Sequence, residues 1–152
     1  MIVGIAMRNE ALRLLIQESC AGYCVKLYGN NAGVPPSHGE DSVGAAVLLC
    51  TVTNNAQSEV GLNWGDPADG AISKDTGEVW RGVFLAGGTV GFARFCALND
   101  DNTADPTASK KRLQLSFGVA PEKDIVTGSS TFSLGDSFSI DFATLSIPEG
   151  SM

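Results

Sequence analysis

Hydrophobic and polar residues follow two different periods along this chain. Near its start, the apolar side chains recur at intervals of three and four, which places Leu12, Leu15 and Ile16 on one face, with charged or amide side chains largely on the other. This spacing predicts an amphipathic helix over residues 8–19 that ends before Gly22. Because a helix of about three turns is too short to be stable alone, we expect it to pack on its own domain or on a neighbouring subunit.

From residue 23 onward, the apolar residues follow the two-residue period of β-strands. The clearest example is the segment in which Leu113, Leu115 and Phe117 alternate with polar residues. About eight such segments are separated by turn-forming residues, with no helical pattern between them. The sequence therefore predicts a mainly β fold, an antiparallel β-sandwich of the jelly-roll kind with one short N-terminal amphipathic helix. We expect a helical arm at residues 1–22 and a β-sandwich domain at residues 23–152.

Two features of the strand region indicate contact with another protein. Residues 29–44 are almost all turn-forming and include Pro35 and Pro36, and long loops in compact domains tend to be functional or mobile. Arg94 lies in an apolar strand, where its guanidinium needs partners for its charge. It faces solvent or an interface, or it pairs with a carboxylate such as Asp141. The candidate interface residues are Leu12, Leu15, Ile16, Pro35, Pro36 and Arg94.

Composition narrows the possible partners and cofactors. The net charge of −7 and the isoelectric point near 4.5 argue against nucleic acid as a primary partner, because phosphate binding needs a clustered positive surface. We expect no membrane contact, since no stretch approaches the ~18 apolar residues of a membrane span and the opening residues do not resemble a secretory signal. The four cysteines lack the spacing of a zinc site, so we expect no metal or other cofactor, and free thiols made in a reducing cytoplasm.

Candidates for catalysis or ligand binding are few. His38 is the only histidine, and its serine and carboxylate neighbours in a loop do not form a preorganised triad. Asp100, Asp101 and Asp105 share one loop, but their spacing differs from that of an EF-hand calcium site. Trp64 stands at a turn and is the one candidate for a partly exposed sugar-binding platform. We therefore expect a protein without enzymatic activity.

Four segments carry a resemblance to a known family. They read RNEALRLLIQE, CVKLYGNNAGVPP, GTVGFARFCALNDD and SFSIDFATLSIP. Their order resembles that in a family of small tailed-bacteriophage virion structural proteins. Members of that family carry an N-terminal helix, an LRIYxGxxP-like strand, a central GTAxWFRL-like strand and a terminal SFTITxP-like strand. Residues 26–29, 88–94 and 137–148 fill the three strands here, with Phe92 and Ala93 in place of an aromatic pair.

The resemblance implies a structural role in the virion and supplies no catalytic residue. On this basis we expect a capsid decoration (cement) protein that is synthesised in the host cytoplasm and binds the capsid exterior. Its partners would be the major capsid protein or other virion proteins, and it would form a homo-oligomer, a dimer or a trimer. The alternatives are a neck, tail or fibre component of the virion, and a carbohydrate-binding β-sandwich module. We further expect that aspartate at Leu12 and Leu15 abolishes shell binding and leaves the β domain folded.

Overall fold

The computed structural model describes residues 2–29 and 34–149, and it confirms a mainly β chain with one short N-terminal helix. Helix α1 spans Ile5–Leu12 and continues directly into a π-helical segment, Arg13–Glu18. Ten strands follow within the described residues: β1 Cys24–Gly29, β2 Val47–Asn54, β3 Ala71–Ser73, β4 Trp80–Val83, β5 Gly88–Cys96, β6 Leu113–Gly118, β7 Ile125–Val126, β8 Thr131–Phe132, β9 Ser137–Ile140 and β10 Thr144–Ser146. Residues 30–33 of the predicted loop and the C-terminal residues 150–152 lie outside the described residues.

Eight of these strands form one sheet. Its order is β7-β6-β5-β1-β2-β4-β9, with β8 paired to one end of β5, and β3 and β10 form a separate two-stranded sheet. All the pairs are antiparallel except β6 with β7. The sheet curls into a half-barrel, and the predicted sandwich or jelly roll is not confirmed.

Residues 60–64 show why the chain builds one large sheet. They pair only through isolated bridges, from Tyr23 to Leu62 and from Trp64 to Lys74. Because few strands are available for a second layer, most strands pair with each other in the main sheet. Strand twist accumulates across a sheet, and eight strands are enough to curl it.

Alternation along β1 and β5 gives the centre of the sheet two different faces. Val25 lies opposite Phe95, and on the other face Lys26 lies opposite Arg94. The face with Phe95 belongs to the main hydrophobic core, together with Trp64 and Trp80. We call it the aromatic face and the opposite one the loop face, because two loops cover the latter.

The N-terminal helix packs on its own chain. Leu12 is buried in the core and Ile16 packs against it. Three polar side chains of the helical segment also bind the rest of the domain. The Arg8 guanidinium donates to the Ile147 carbonyl (3.2 Å), and Asn9 Oδ1 accepts from the Gly70 amide (2.8 Å). Gln17 Nε2 donates to Asp66 Oδ1 (2.9 Å). An aspartate at Leu12 is therefore expected to unfold the domain, which corrects the expectation that the fold would survive it.

The helix begins three residues earlier than the predicted 8–19, and its second half is wider than an α-helix. The Ser19 amide donates to the Leu14 carbonyl (3.1 Å), which is the i to i+5 pattern of a π-helix. The wider turn changes the phase of the side chains, so that Leu15 is 55% exposed although its neighbour Ile16 faces the core. Among the described residues, no helix has the length and apolar character needed to cross a membrane.

Candidate functional site

Buried polar groups concentrate on the loop face of the sheet. Lys26 on β1 and Arg94 on β5 are direct cross-strand neighbours, and both are buried. Like charges directly opposite each other destabilise a sheet, and a buried cation needs partners. The two loops that cover this face, residues 34–46 and 97–112, supply those partners.

Arg94 is fully buried, and its partners all belong to this chain. Its Nε donates to Gln114 Oε1 (2.8 Å), and its terminal nitrogens donate to Asn102 Oδ1 (3.5 Å) and the His38 carbonyl (3.0 Å). Burial lowers the pKa of Arg94, and the nearby Arg112 guanidinium lowers it further. The predicted partner Asp141 is exposed and is not among these contacts. Arg94 therefore fastens the fold internally, and its side chain is not at the surface.

Lys26 binds the second loop through backbone oxygens. Its Nζ donates to the Leu98 carbonyl (3.1 Å) and to the Asp100 carbonyl. The alkyl stem crosses the loop face, and only 8% of the residue is exposed. The ammonium group of Lys26, which lies across the strands from Arg94, is thus bound by the first residues of the 97–112 loop.

Asp100 and Arg112 close that loop with a two-point ion pair. Arg112 Nε donates to Asp100 Oδ2 and its Nη2 to Asp100 Oδ1, both at 2.7 Å. Its Nη1 donates to the carbonyls of Gly39 (3.0 Å) and Thr103 (2.8 Å). Burial acts to raise the pKa of Asp100, but the Arg112 hydrogen bonds and the Asn102 amide outweigh it and bring the pKa to about 2.

We call Lys26, Arg94, Asp100, Asn102 and Arg112 the loop-fastening cluster. Its cations donate to carbonyls in both covering loops, and the loops also bond to each other, from the Val43 amide to the Asn102 carbonyl (3.1 Å). Charge-assisted hydrogen bonds of this kind are stronger than neutral ones. Because these charged groups already have partners within the chain, the cluster positions the loops and does not form an open catalytic site.

Asn102 connects the cluster to a tyrosine and a cysteine. Its Nδ2 donates to Tyr28 Oη (2.8 Å) and lies 3.5 Å from Cys96 Sγ. Asn102 adopts a positive φ of 58°, which asparagine tolerates better than most residues. Tyr28 stacks on Phe92 with ring centroids 5.3 Å apart, and burial raises the pKa of its hydroxyl. Asn102 thus links the second loop to both β1 and β5.

The structure places the other candidates from the sequence in surface loops or in the hydrophobic core. His38 is exposed, and its backbone amide donates to Asp41 Oδ2 (3.1 Å). Trp64 is only 7% exposed and packs edge-on against Trp80 and Phe95, so it offers no sugar platform. The aspartates of the 97–112 loop accept hydrogen bonds from their own loop or from Arg112. Across residues 2–29 and 34–149, no His, Cys, Asp and Glu side chains group as a metal site.

The predicted interface residues divide by accessibility. Leu12 and Arg94 are buried, and Ile16 and Pro36 are partly buried. Leu15 and Pro35 are exposed. Leu15 is accompanied by Met7 and Leu14, which are also exposed apolar residues of the same helix. We call Met7, Leu14 and Leu15 the outer helix face.

Sequence reasoning did not identify four members of the cluster. Lys26 occupies a polar position in an alternating strand, which is typical of a solvent-facing side chain. Asp100 and Asn102 sit in an acidic loop, and Arg112 ends a basic run, so each fits a solvated turn. The only signal was Arg94 in an apolar strand, because its burial demands partners elsewhere in the chain.

In comparisons with known proteins, no protein family, no curated protein and no solved structure matches the chain. The resemblance to virion proteins therefore rests on the four sequence segments alone.

Proposed function

We propose that this chain is a structural protein of a bacteriophage virion, a capsid decoration protein that binds the outside of the assembled shell. The observation that carries its binding role is the outer helix face. Leu12 anchors the helix to its own domain, and Leu15 on the same helix remains 55% exposed. A helix that is apolar on more than one side has surface left for a second partner. The virion assignment comes from the sequence resemblance.

The binding would rest on modest contacts repeated many times. Burying one exposed leucine side chain contributes about 1.5–3 kcal/mol, which is too little for a stable single contact once the cost of association is included. An oligomer bound at several junctions of a shell gains from effective concentration. The loop at 34–46, held by the loop-fastening cluster and carrying the exposed Pro35, would provide a second contact without a large cost of ordering.

Strand β9 supports the expected homo-oligomer or a contact with a neighbour's sheet. It pairs with β4 on one edge, and no strand of the described residues pairs with its other edge. Its residues, Ser-Phe-Ser-Ile, include none of the charges or prolines that commonly protect edge strands. Phe142, just beyond it, is 95% exposed. Strand addition at this edge is a recognised binding mode.

The proposal includes the fold, which we assign as a jelly-roll or sandwich domain. In a jelly-roll or sandwich domain, the small β3–β10 sheet would be the remnant of a second layer. Its Ile72 and Leu145 side chains contribute to the core shared with the main sheet. A small second layer leaves the helix to cover part of that core, consistent with the helix contacts described above.

The first test is the copy number of this chain in purified virions, measured by quantitative mass spectrometry against the major shell protein. A copy number comparable with that of the shell protein is expected for a decoration protein. A few copies would instead assign the chain to the neck, tail or fibre, and absence from virions would overturn the virion proposal.

The contact itself is tested with Leu15→Asp in a cosedimentation assay with shells that lack this chain. We expect Leu15→Asp to reduce shell binding at least tenfold, roughly the effect of 1.4 kcal/mol, with an unchanged unfolding midpoint because the side chain is exposed. Leu134→Asp is the matched control, since Leu134 is an exposed leucine far along the chain. Equal binding by both variants would remove the outer helix face from the interface.

A further inference from the structure

Two cysteines face each other across the centre of the sheet. Cys24 at the start of β1 is the direct cross-strand partner of Cys96 at the end of β5, and both are fully buried. Directly opposed residues of an antiparallel pair have Cα atoms about 4.5–5.5 Å apart. That spacing lies within the range of about 4.4–6.8 Å that a disulfide spans. Both thiols are free in the structure.

The surroundings favour one thiolate in this pair. Cys24 Sγ donates to the Ala97 carbonyl (3.9 Å), and Asn102 Nδ2 lies 3.5 Å from Cys96 Sγ. The neighbouring Cys24 thiol and the Asn102 amide lower the pKa of Cys96 although burial acts to raise it, and the pKa of Cys24 is raised. A thiolate is the form that attacks disulfides. Cys50 lies in the hydrophobic core, where burial raises its pKa to about 12.

A surface cleft of about 280 Å³ lies beside the pair. Its wall includes Tyr23, which precedes Cys24, and Ala97, which follows Cys96. Lys110, Lys111 and Asp100 also line it. Since Asp100 is paired with Arg112, the two lysines leave the cleft with a net positive charge. A local opening at the ends of these two strands would expose the thiols to a small anionic molecule in the cleft.

We propose that Cys24 and Cys96 are a redox modification site, which forms a reversible disulfide between β1 and β5 when a small anionic disulfide such as oxidised glutathione enters this cleft. The Cys96 thiolate attacks one sulfur of oxidised glutathione, the glutathione S–S bond breaks, and one glutathione leaves as a thiolate and takes up the proton that Cys96 released. The Cys24 thiol then loses its proton and attacks the Cys96 sulfur, the mixed disulfide bond breaks, and the second glutathione leaves as a thiolate that takes up this proton. Two protein thiols are oxidised and one oxidised glutathione is reduced to two glutathione thiols. The site does not depend on the virion role.

The test exposes the full-length folded protein to a glutathione redox buffer, followed by acid quench, alkylation of free thiols in denaturant and peptide mapping by mass spectrometry. We expect a Cys24–Cys96 linked peptide as the major product, with Cys20 and Cys50 alkylated, and full reversal by excess reduced glutathione. The unfolded chain in urea should lose this selectivity, because the strand register is gone. Free Cys24 and Cys96 after equilibration, or linkage of either to Cys20, would overturn the proposal. The assay uses the native chain, so it does not depend on a cysteine variant that folds.

The entry route is tested by the rate of oxidation. Lys111→Gln should slow oxidation by glutathione disulfide severalfold and leave oxidation by the uncharged hydroxyethyl disulfide unchanged. Lys123→Gln, which removes a lysine that does not line this cleft, is the matched control. An equal rate for Lys111→Gln and Lys123→Gln with glutathione disulfide would exclude the cleft as the route.

Discussion

Successive residues of β5 point to two faces of the sheet that are buried in different ways. On the aromatic face, Phe95 packs against Trp64 at a centroid distance of 6.0 Å and against Tyr23 at 5.4 Å. On the loop face, Phe92 and Arg94 lie under two loops that are held mainly by hydrogen bonds. The first face is stabilised by apolar area, which is largely independent of pH. The second combines stacking with ion pairs, and its stability depends on protonation and on exact partners.

The largest expected effect is on the aromatic face. Phe95→Ala removes a buried ring from the centre of the core and is expected to lower the free energy of unfolding by about 3–5 kcal/mol, measured by urea denaturation. Phe142→Ala is the control, because that ring is 95% exposed and its loss should change the value by less than about 0.5 kcal/mol. A small effect at Phe95 would mean that the core can collapse around the gap, which would weaken the distinction between the two faces.

The second prediction concerns pH and tests the loop face alone. The pKa of Asp100 is about 2 in the folded protein, below the ~3.9 of an unfolded aspartate. The folded state therefore binds fewer protons, and the stability it gains is fully present above about pH 5 and is lost as the pH falls towards 2. We expect a loss of about 2 kcal/mol from this group, measured by urea unfolding at a series of pH values.

Asp100→Asn supplies the control for the pH experiment. The pKa values of Asp101 and Asp105 are also lowered, by hydrogen bonds from Thr103 and Lys110 respectively, so the native chain loses stability from more than one group. The difference between the native chain and Asp100→Asn isolates the contribution of Asp100. The variant should be less stable at pH 7, because Arg112 is left without its counter-charge, and its acid dependence should be shallower. Parallel pH curves for the two proteins would contradict the role of the ion pair.

The difference between the two faces also explains which features of the fold and of the loop-fastening cluster could be predicted from the sequence. The β-rich fold and the alternation of Leu113, Leu115 and Phe117 follow from a local period, because burial of one face repeats every second residue. The single curled sheet depends on which strands pair, and no local pattern encodes that choice. The helix was predicted, but the π-helical turn that exposes Leu15 depends on packing against the domain. The five residues of the loop-fastening cluster come from two strands and a loop, and their contacts depend on tertiary packing. Only the charge of Arg94 within an apolar strand indicated that partners existed.

The smallest expected effect comes from a single oxygen on the loop face. Tyr28→Phe keeps the ring that stacks on Phe92 and removes the acceptor for Asn102 Nδ2. Since Asn102 keeps Cys96 Sγ only as a weak acceptor, we expect a loss of about 1 kcal/mol in the free energy of unfolding. The loss should appear first as faster amide hydrogen exchange in residues 97–112, measured by mass spectrometry, because Asn102 holds that loop to β1. Thr131→Val is the matched control: it removes a hydroxyl that is hydrogen-bonded to Thr89 Oγ1 (3.1 Å) at the other end of β5, so it should leave exchange in residues 97–112 unchanged. If both variants loosen the loop equally, the hydrogen bond between Asn102 and Tyr28 has no specific role in holding that loop to β1.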